Sequence, residues 1–515
     1  MKCNISMGAR DSGREKILIR GVNWIGDAVM TFPAIRAVRK FYPKAHISLL
    51  VRPSVALLFE NSRDIDEVIF YEPQSRGLRG KLHFAGLLRQ MRFSKAILLQ
   101  NAFDAALIAF LARIPERIGY DRDRRGFLLT KAVPYKNQDR KVHHVNYYLD
   151  LLSAAGIDAP YSHPWLNLTL EERLGARERL TELRRPILGI NPGATYGSSK
   201  RWLPERFAEV AQWFIRETGG SVAVFGGRNE VSIAEEICKQ IPVNRLMLAG
   251  KTSLRELIAL VSECDVFLTN DSGPMHIAYA VGTPLAAIFG STSPELTGPV
   301  GNGSEVIRTR IACSPCFERT CDKDYLKCMF DVIPDQVYEA LMRLLPQKRA
   351  VFFDRDGTLC RDANYLNKWD DFELLPGVEN LQSLKDDGFE LIGVSNQSGI
   401  VKGIVQEKFA KEVNRLFIDK YGFTNFYYCP HNPEDFCRCR KPEPEMLFRA
   451  RTAYGIDLKR SFVVGDKDAD MLLAKMVGAR GVLVRSGQQS DSAYADEVVD
   501  KLEEVIRYIR KWSGA

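Results

Sequence analysis

The sequence predicts an α/β protein with three doubly wound domains, and three observations support this fold class. The chain has 515 residues, and at roughly 100 to 200 residues per domain this length suggests about three domains. Hydrophobic residues make up 45% and charged residues 26%, a composition typical of globular proteins. Three segments each begin with a strand-like apolar run, pass through a turn that contains Gly or Asp, and enter a helical pattern.

These segments place domain boundaries near residues 175 and 346. The first opens with KILIRG at 16–21, the second with PILGINPG at 186–193, and the third with KRAVFFDRDGT at 348–358. We therefore expect a polar tail followed by three domains, with the bounds 1–15, 16–175, 176–345 and 346–515.

Composition also limits the location and the partners of the chain. The longest apolar runs, such as AALIAFLA at 105–112, are shorter than the roughly 20 residues that cross a bilayer, and the polar N-terminus does not resemble a secretion signal. Eleven cysteines without an export signal indicate the cytoplasm, where clustered thiols usually bind metal or react. Residues 1–345 carry 46 Lys and Arg against 37 Asp and Glu. If the chain has an anionic partner, this part should bind it, whether a phosphorylated substrate, a membrane surface or nucleic acid. A solvated basic surface is the alternative and accounts for most of the excess, because acidic residues are scattered among the basic ones.

The third domain carries polar residues directly after predicted strands. They are Asp354 and Asp356 in DRDGT, Ser395 and Asn396 in SNQ, Lys441 in RKP, and Asp466 and Lys467 in GDKDAD. Because the carboxyl ends of parallel strands meet at one edge of a sheet, these side chains should share a crevice. Two carboxylates two residues apart can then serve as a nucleophile and as a general acid/base.

A phosphate that is attacked by a carboxylate must be neutralised, which requires a lysine, hydrogen-bond donors and a cation. Mg²⁺ prefers oxygen ligands, and Asp354, the main-chain carbonyl of Asp356 and Asp466 could supply them. The motifs, in this order over residues 348–515, resemble the haloacid-dehalogenase superfamily of phosphatases.

The resemblance implies a role for each motif residue. Asp354 becomes the nucleophile that forms a phospho-aspartyl intermediate, Asp356 the acid/base, and Asp466 a Mg²⁺ ligand. The residues implied in binding the phosphate or the substrate are Ser395, Asn396, Arg440, Lys441 and Lys467.

The stretch CPHNPEDFCRCRKP at 429–442 adds three thiols and an imidazole. Cys429, His431, Cys437 and Cys439 supply four N/S ligands, which matches a closed, structural Zn²⁺ site more closely than a catalytic one. Reduced thiols without metal are the alternative. Zinc would fold this Pro-rich loop and fix the direction of the two cations that follow it. The loop with RKP resembles zinc-containing phosphatases of heptose 1,7-bisphosphate and of histidinol phosphate, and SNQSGI is closer to the heptose enzymes.

The second domain contains a predicted site for a diphosphate. The run NDSGPMH at 270–276 leaves a strand and starts a helix, and free N–H groups at a helix N-terminus bind phosphate groups well. Lys200 in SSKRW would add a positive charge.

Together with GVNWIGDAVM, VFGGRNE and CSPCFERTC, these motifs resemble the ADP-heptose:lipopolysaccharide heptosyltransferases, the second-heptose type in particular, over residues 16–345. The resemblance implies a GT-B pair of Rossmann-like domains and an inverting, single displacement. It makes Asp27 the base that deprotonates the acceptor hydroxyl, although an Asp in this place could instead cap the following helix. The residues implied in donor binding are Lys200, Glu230, Asp271, Ser272, Gly273, His276 and Thr283.

Four further cysteines lie within sixteen residues: Cys313, Cys316, Cys321 and Cys328. Their spacing is compatible with zinc or an iron–sulfur cluster, and reduced structural thiols are an equal alternative. The sequence leaves this second metal site open.

The two halves support each other, because removal of one phosphate from heptose 1,7-bisphosphate gives an intermediate on the way to ADP-heptose, the donor of the other half. We expect a bifunctional cytoplasmic enzyme of lipopolysaccharide inner-core heptose metabolism that uses Mg²⁺ and structural Zn²⁺. Its expected partners are ADP-heptose, a lipopolysaccharide acceptor, heptose 1,7-bisphosphate and the inner membrane surface, with no nucleic acid. The alternatives are a phosphatase of histidinol phosphate or another small ester, and a non-catalytic sugar-nucleotide scaffold.

Overall fold

The computed structural model describes residues 14–72, 77–135, 141–301, 303–323 and 325–513. The chain divides into two compact units, Met1–Leu344 and Leu345–Ala515, which we call the first and the second unit. The predicted polar tail 1–15 lies outside the described residues except for its last two positions.

The described strands form three parallel sheets of six strands each, two in the first unit and one in the second. The strands of the first sheet are β1 (Lys16–Arg20), β2 (His46–Val51), β3 (Glu67–Phe70), β4 (Lys95–Leu98), β5 (Glu116–Asp121) and β6 (Lys131–Pro134). Those of the second are β7 (Ile187–Asn191), β8 (Ser221–Val224), β9 (Arg245–Met247), β10 (Val266–Asn270), β11 (Leu285–Phe289) and β12 (Ser304–Arg308). Those of the third are β13 (Arg349–Phe353), β14 (Phe389–Asn396), β15 (Asn425–Cys429), β16 (Phe462–Gly465), β17 (Arg480–Val484) and β18 (Glu497–Val499).

All three sheets share one strand order. Along the first sheet it is β3-β2-β1-β4-β5-β6, along the second β9-β8-β7-β10-β11-β12, and along the third β15-β14-β13-β16-β17-β18. Neighbouring strands pair in parallel, for example Ile17 with Ile47 and with Lys95 on either side of β1. This order, with the chain reversing direction beside the first strand, is that of the doubly wound Rossmann fold. The predicted α/β class is confirmed.

Helices connect the strands. Those of the first unit are α1 (Ile25–Met30), α2 (Phe32–Phe41), α3 (Pro53–Ala56), α4 (Gly77–Gln90), α5 (Phe103–Leu111), α6 (His144–Ala154), α7 (Leu170–Arg179), α8 (Pro204–Thr218), α9 (Val231–Gln240), α10 (Leu254–Glu263), α11 (Gly273–Ala280), α12 (Pro294–Thr297), α13 (Lys327–Phe330) and α14 (Pro334–Leu344). Those of the second are α15 (Ser383–Asp386), α16 (Glu407–Tyr421), α17 (Glu445–Tyr454), α18 (Asp468–Val477) and α19 (Leu502–Ser513). Among the helices of the described ranges, none has the length and apolar character needed to cross a bilayer.

Local sequence explains where these elements lie. The central strands read as short apolar runs, and β7 and β10 are buried along their whole length, as expected for parallel strands covered on both faces. Helix α8 begins with Pro204, whose missing N–H costs nothing at that position, and ends before Gly219 in the left-handed conformation. The carboxyl ends of the central strands point to one edge of each sheet, and the candidate functional residues lie at these edges.

Two candidate active sites

In the second unit, Asp354 directly follows β13 and is 5% exposed. The Nζ atom of Lys441 lies 2.7 Å from Asp354 Oδ1 and 2.6 Å from an oxygen of Asp470. Burial disfavours the charge on Lys441, but Asp354 and Asp470 outweigh it and raise the pKa of the lysine. The lysine is therefore a fixed cation beside the predicted nucleophile.

Asp356 is held beside it by a network of donors. Arg355 donates to the Asp356 carboxylate at 3.0 Å, Gln397 Nε2 at 2.6 Å and Ser395 Oγ at 3.5 Å. The side chain of Asn396 is used differently, because it bonds both the N–H and the carbonyl of Lys441 in the main chain. The Asn396 side chain therefore helps to position the Lys441 loop, and its predicted contact with the substrate stays a prediction.

Three carboxylates converge at this edge, since oxygens of Asp354, Asp466 and Asp470 lie within 4.8 Å of one another. The buried Oδ1 atom of Asp466 has no hydrogen-bond partner among the described residues. Burial raises the pKa of Asp466 to about 6, and the charge of Asp354 adds to the effect. Buried carboxylates this close repel one another unless cations lie between them. Lys441 lies between Asp354 and Asp470, and the partnerless oxygen of Asp466 beside Asp354 fits a hard divalent ion. Sequence reasoning missed Asp470, which GDKDAD places one helical turn after Asp466.

The other two predicted phosphate-binding cations, Lys467 and Arg440, contact different groups. Lys467 Nζ lies 3.3 Å from Asp362 and 3.7 Å from Asp466, beside the carboxylates. Arg440 donates to the carbonyl of His431 at 3.3 Å, and so contacts the cysteine-rich loop.

The four predicted zinc ligands form a compact cluster, which we call the Cys/His cluster: Cys429, His431, Cys437 and Cys439. Neighbouring ligand atoms are 3.3 to 3.6 Å apart. A tetrahedral Zn²⁺ site with Zn–S near 2.3 Å requires edges of about 3.5 to 3.8 Å, whereas a disulfide would bring two sulfurs to about 2.05 Å. The geometry therefore fits a zinc ion. Cys429 ends β15 and pairs in register with Asn396 of β14, which connects the cluster to the phosphate edge.

In the first unit, Asp27 is the third residue of α1. The residue at the N-cap of this helix is Trp24, and no side chain caps it, so the capping alternative for Asp27 has no support in the structure. Its Oδ1 atom lies 3.5 Å from His144 Nδ1. Asp27 also lines an open cavity of about 450 Å³ together with polar groups that sequence reasoning missed, among them Gln100, Asn101, Arg122, His144 and Tyr147. The adjacent His143 and His144 at the start of α6 are the sequence feature that could have indicated this part of the site.

At the carboxyl edge of the second sheet, Lys200 forms an ion pair with Asp271, which also accepts a hydrogen bond from Thr292 at 2.6 Å. Glu230 lies at the same edge, where a Cβ atom on Gly193 would come within 2.0 Å of its carboxylate. Glycine at 193 thus makes room for Glu230, and three of the predicted donor residues, Lys200, Glu230 and Asp271, lie at this edge.

The two sheets of the first unit meet where α1 packs on α11. A Cβ atom on Gly26 would lie 2.6 Å from the ring of His276, and one on Gly273 would lie 3.0 Å from Ile25. His276 is 4% exposed and contacts the hydroxyl of Tyr279 at 3.0 Å. Burial lowers the pKa of His276 to about 4, so the ring is neutral at pH 7. Asp27 therefore lies on the helix that packs directly against the predicted diphosphate helix.

The predicted donor contact of Thr283 is not supported by its position. Thr283 follows α11 and precedes β11, and its hydroxyl donates to Val261 at 2.8 Å. Helix α11 has eight residues and is about 12 Å long. Ser272 is the N-cap of this helix, so Thr283 lies at the opposite edge of the sheet and is removed from the donor site.

The second cysteine group is looser than the Cys/His cluster. Its members are Cys313, Cys316, Cys321 and Cys328, and among the described residues no three of their sulfurs lie within 4.8 Å of one another.

Comparison with known proteins assigns both units. Residues 82–327 match glycosyltransferase family 9 (heptosyltransferase), and residues 438–509 match the HAD-hydrolase-like family. Lipopolysaccharide heptosyltransferase 2 of Salmonella typhimurium is 31% identical over 349 residues, which cover 65% of this chain and 99% of the relative. The D-glycero-beta-D-manno-heptose-1,7-bisphosphate 7-phosphatase of Escherichia coli is 39% identical over 181 residues, which cover 32% of this chain and 94% of the relative.

A solved structure of the Escherichia coli ADP-heptose LPS heptosyltransferase II is 28% identical, with a TM-score of 0.56 over 64% of this chain and 98% of that chain. The chain therefore belongs to the family 9 heptosyltransferases in its N-terminal part and to the haloacid-dehalogenase-like heptose bisphosphate phosphatases in its C-terminal part.

Proposed function

We propose that the chain is a bifunctional enzyme of lipopolysaccharide inner-core heptose metabolism. It transfers heptose from ADP-heptose to the lipopolysaccharide core, and it hydrolyses the 7-phosphate of D-glycero-D-manno-heptose 1,7-bisphosphate. One observation carries the proposal: each unit resembles a heptose enzyme over nearly that enzyme's whole length. We assign residues 16–175 to the acceptor, 176–345 to ADP-heptose and 346–515 to the phosphatase.

In the phosphatase reaction, an oxygen of Asp354 attacks the 7-phosphorus and the bond to the sugar oxygen breaks. Asp356 protonates the leaving oxygen, and then removes a proton from the water that hydrolyses the phospho-aspartyl group. Lys441 holds Asp354 in position and neutralises charge on the phosphate. Mg²⁺ bound at Asp354, Asp466 and the carbonyl of Asp356 would supply further positive charge.

The other polar groups of this edge bind the substrate. Ser395 and Lys467 contact phosphate oxygens, and Arg440 extends from the zinc loop toward the substrate. The Cys/His cluster acts structurally, because four protein ligands leave zinc no open position for a substrate.

In the transferase reaction, Asp27 removes the proton from the acceptor hydroxyl, whose oxygen attacks the anomeric carbon while ADP leaves from the opposite face. Lys200 and Asp271 bind the donor, and Glu230 binds its ribose. The diphosphate lies at the N-terminus of α11, near Ser272, Gly273 and the neutral ring of His276.

The first test measures phosphate release by the full chain from the β-anomer of heptose 1,7-bisphosphate and from histidinol phosphate. We expect release from the heptose substrate with Mg²⁺ present, and a loss of at least about 10³-fold in Asp354→Asn, because an amide cannot form the phospho-aspartyl group. Preference for histidinol phosphate would support the alternative substrate. Absence of release from any sugar phosphate would support the non-catalytic scaffold.

The second test concerns Asp27. The Asp27→Asn variant should lose transfer by at least about 10²-fold, the usual contribution of a general base, while ADP-heptose binds with unchanged affinity. Its phosphatase rate is the control for folding of the preparation. Transfer at the wild-type rate would show that Asp27 is not the base.

A lipid-linked acceptor implies work at the inner face of the cytoplasmic membrane. The exposed side chains of Leu78, Phe103 and Phe127 support contact with this surface; Phe127 is 75% exposed and its ring lies 6.2 Å from that of Phe103. They follow strands of the first sheet at the edge that carries Asp27. Wild-type protein should sediment with anionic vesicles more than a Phe103→Ser, Phe127→Ser variant does, and equal sedimentation would count against this contact.

A further inference from the structure

The segment between β12 and α13 is an unusually long connection. Among its described residues, 309–323 and 325–326, there is neither helix nor strand. Connections longer than about 12 to 15 residues without secondary structure are uncommon and are often functional. Its larger apolar side chains contribute little to a core, since Phe317 is 47% and Tyr325 50% exposed. Some interaction other than apolar burial must therefore order it.

Both ends of the cysteine group converge on the end of β11. The Oγ atom of Ser314 donates to the carbonyl of Gly290 at 2.7 Å, and the N–H of Phe317 donates to Ser291 at 2.7 Å. The Sγ atom of Cys328 lies against the same glycine: a Cβ atom added to Gly290 would be 3.1 Å from it. The sequence from 313 to 317 therefore runs beside the buried thiol of Cys328.

The four thiols differ in exposure. Cys328 is buried, Cys313 and Cys321 are partly exposed, and Cys316 is exposed. The group thus has one buried member in α13 and three more accessible members on the connection before it.

The same segment holds the loop that carries Lys200. The hydroxyl of Tyr196 donates to the carbonyl of Phe317 at 2.7 Å, and the N–H of Ser199 donates to that of Arg319 at 3.1 Å. A Cβ atom on Gly197 would lie 2.0 Å from the Arg319 carbonyl, so the two backbones touch. The position of Lys200 therefore depends on the position of residues 317–319.

We propose that Cys313, Cys316, Cys321 and Cys328 bind one zinc or iron ion through four thiolates, and that this ion positions the loop of Lys200. Four sulfur ligands in a tetrahedron select zinc or iron among the common metals. The sulfurs lie further apart than the ligands of the Cys/His cluster, so binding draws the partly exposed thiols toward Cys328. Each thiol loses its proton on binding. The role in positioning Lys200 rests on the transferase function proposed above.

Metal analysis of the full chain, purified without chelator, tests the site directly. We expect about two equivalents of zinc and iron together per chain, one for each cysteine group, with Mg²⁺ counted separately. The Cys316→Ser, Cys321→Ser variant should retain one, the Cys437→Ser, Cys439→Ser variant should retain the other, and Cys238→Ser, a buried cysteine outside both groups, should retain both. A single equivalent in the wild type, lost only with Cys437 and Cys439, would overturn the proposal.

Kinetics test the positioning role. In the Cys316→Ser, Cys321→Ser variant, the KM for ADP-heptose should rise about tenfold or more, as for loss of groups that orient a site, with a smaller change in kcat. Its phosphatase rate should be unchanged, which shows that the preparation is folded. Loss of the metal with an unchanged KM would overturn the positioning role. If the wild type transfers no heptose, the transferase function fails, but the metal count still decides whether the site exists.

Discussion

The two candidate catalytic aspartates lie at corresponding places in sheets of the same strand order, but their surroundings differ. Asp354 directly follows the central strand β13, is almost fully buried and contacts Lys441 at 2.7 Å. Asp27 lies in the first helix after the central strand β1, beside an open cavity, with His144 at 3.5 Å. The shared strand order thus determines where each acid lies, while its neighbours determine what it can do.

The difference matches the two reactions. A nucleophile must meet phosphorus at a short distance, and a buried cation that fixes its position reduces the cost of bringing two anions together. A base that takes a proton from a sugar hydroxyl needs space for that sugar, which the cavity beside Asp27 offers. The candidate phosphatase residues lie at the carboxyl edge of a single sheet. The candidate transferase residues lie at two sheets, whose helices α1 and α11 pack against each other.

Among changes outside the candidate catalytic acids, the largest expected effect concerns the loop that supplies Lys441. Replacing Cys437 and Cys439 by serine removes two zinc ligands, so the loop loses its order and Lys441 loses its fixed position. The kcat/KM for heptose 1,7-bisphosphate should fall about 10²-fold, with most of the loss in KM. Transferase activity of the same preparation is the control. Full phosphatase activity in this variant would show that the Lys441 loop does not depend on zinc.

Much of this contrast could be predicted from the sequence, because the motifs combine strand ends with residue types that suit one chemistry. DRDGT, GDKDAD and the Cys/His spacing indicated both the edge and the ligands. Thr283 could not be placed, because a Gly-Thr-Pro turn looks alike at either end of a helix. Asp470 and the cavity residues Arg122 and Tyr147 were missed, since their importance depends on contacts between elements distant in sequence.

A smaller expected effect is a loss of stability of the first unit at acidic pH. His276 is buried among Asp271, Asp27, His143 and Lys200, with the Tyr279 hydroxyl on its Nδ1 atom, and burial lowers its pKa to about 4. An unfolded histidine has a pKa near 6.5, so the unfolded chain binds the proton first. The first unit should therefore lose stability as the pH falls from about 6.5 toward 4, by about 2 kcal/mol at pH 5.

Denaturant unfolding of the wild type and of His276→Gln at pH 7 and pH 5 measures this contribution. The wild type should lose about 2 kcal/mol more than the variant between the two pH values. The second unit has one histidine, His431, which belongs to the Cys/His cluster. An identical pH dependence in both proteins would show that His276 is not kept neutral by the fold.

The smallest expected effect comes from removing the charge of Asp470, the second carboxylate that contacts Lys441. Asp470→Asn removes one of the two anions that hold the lysine, whereas the 2.7 Å contact with Asp354 remains. The kcat/KM of the phosphatase should fall about tenfold, as for other groups that orient a site without contacting the substrate. The matched control is Asp468→Asn, the same change in the same helical turn, where the carboxylate accepts from Ser492 at 2.6 Å. Equal rates in the two variants would mean that Asp354 alone positions Lys441.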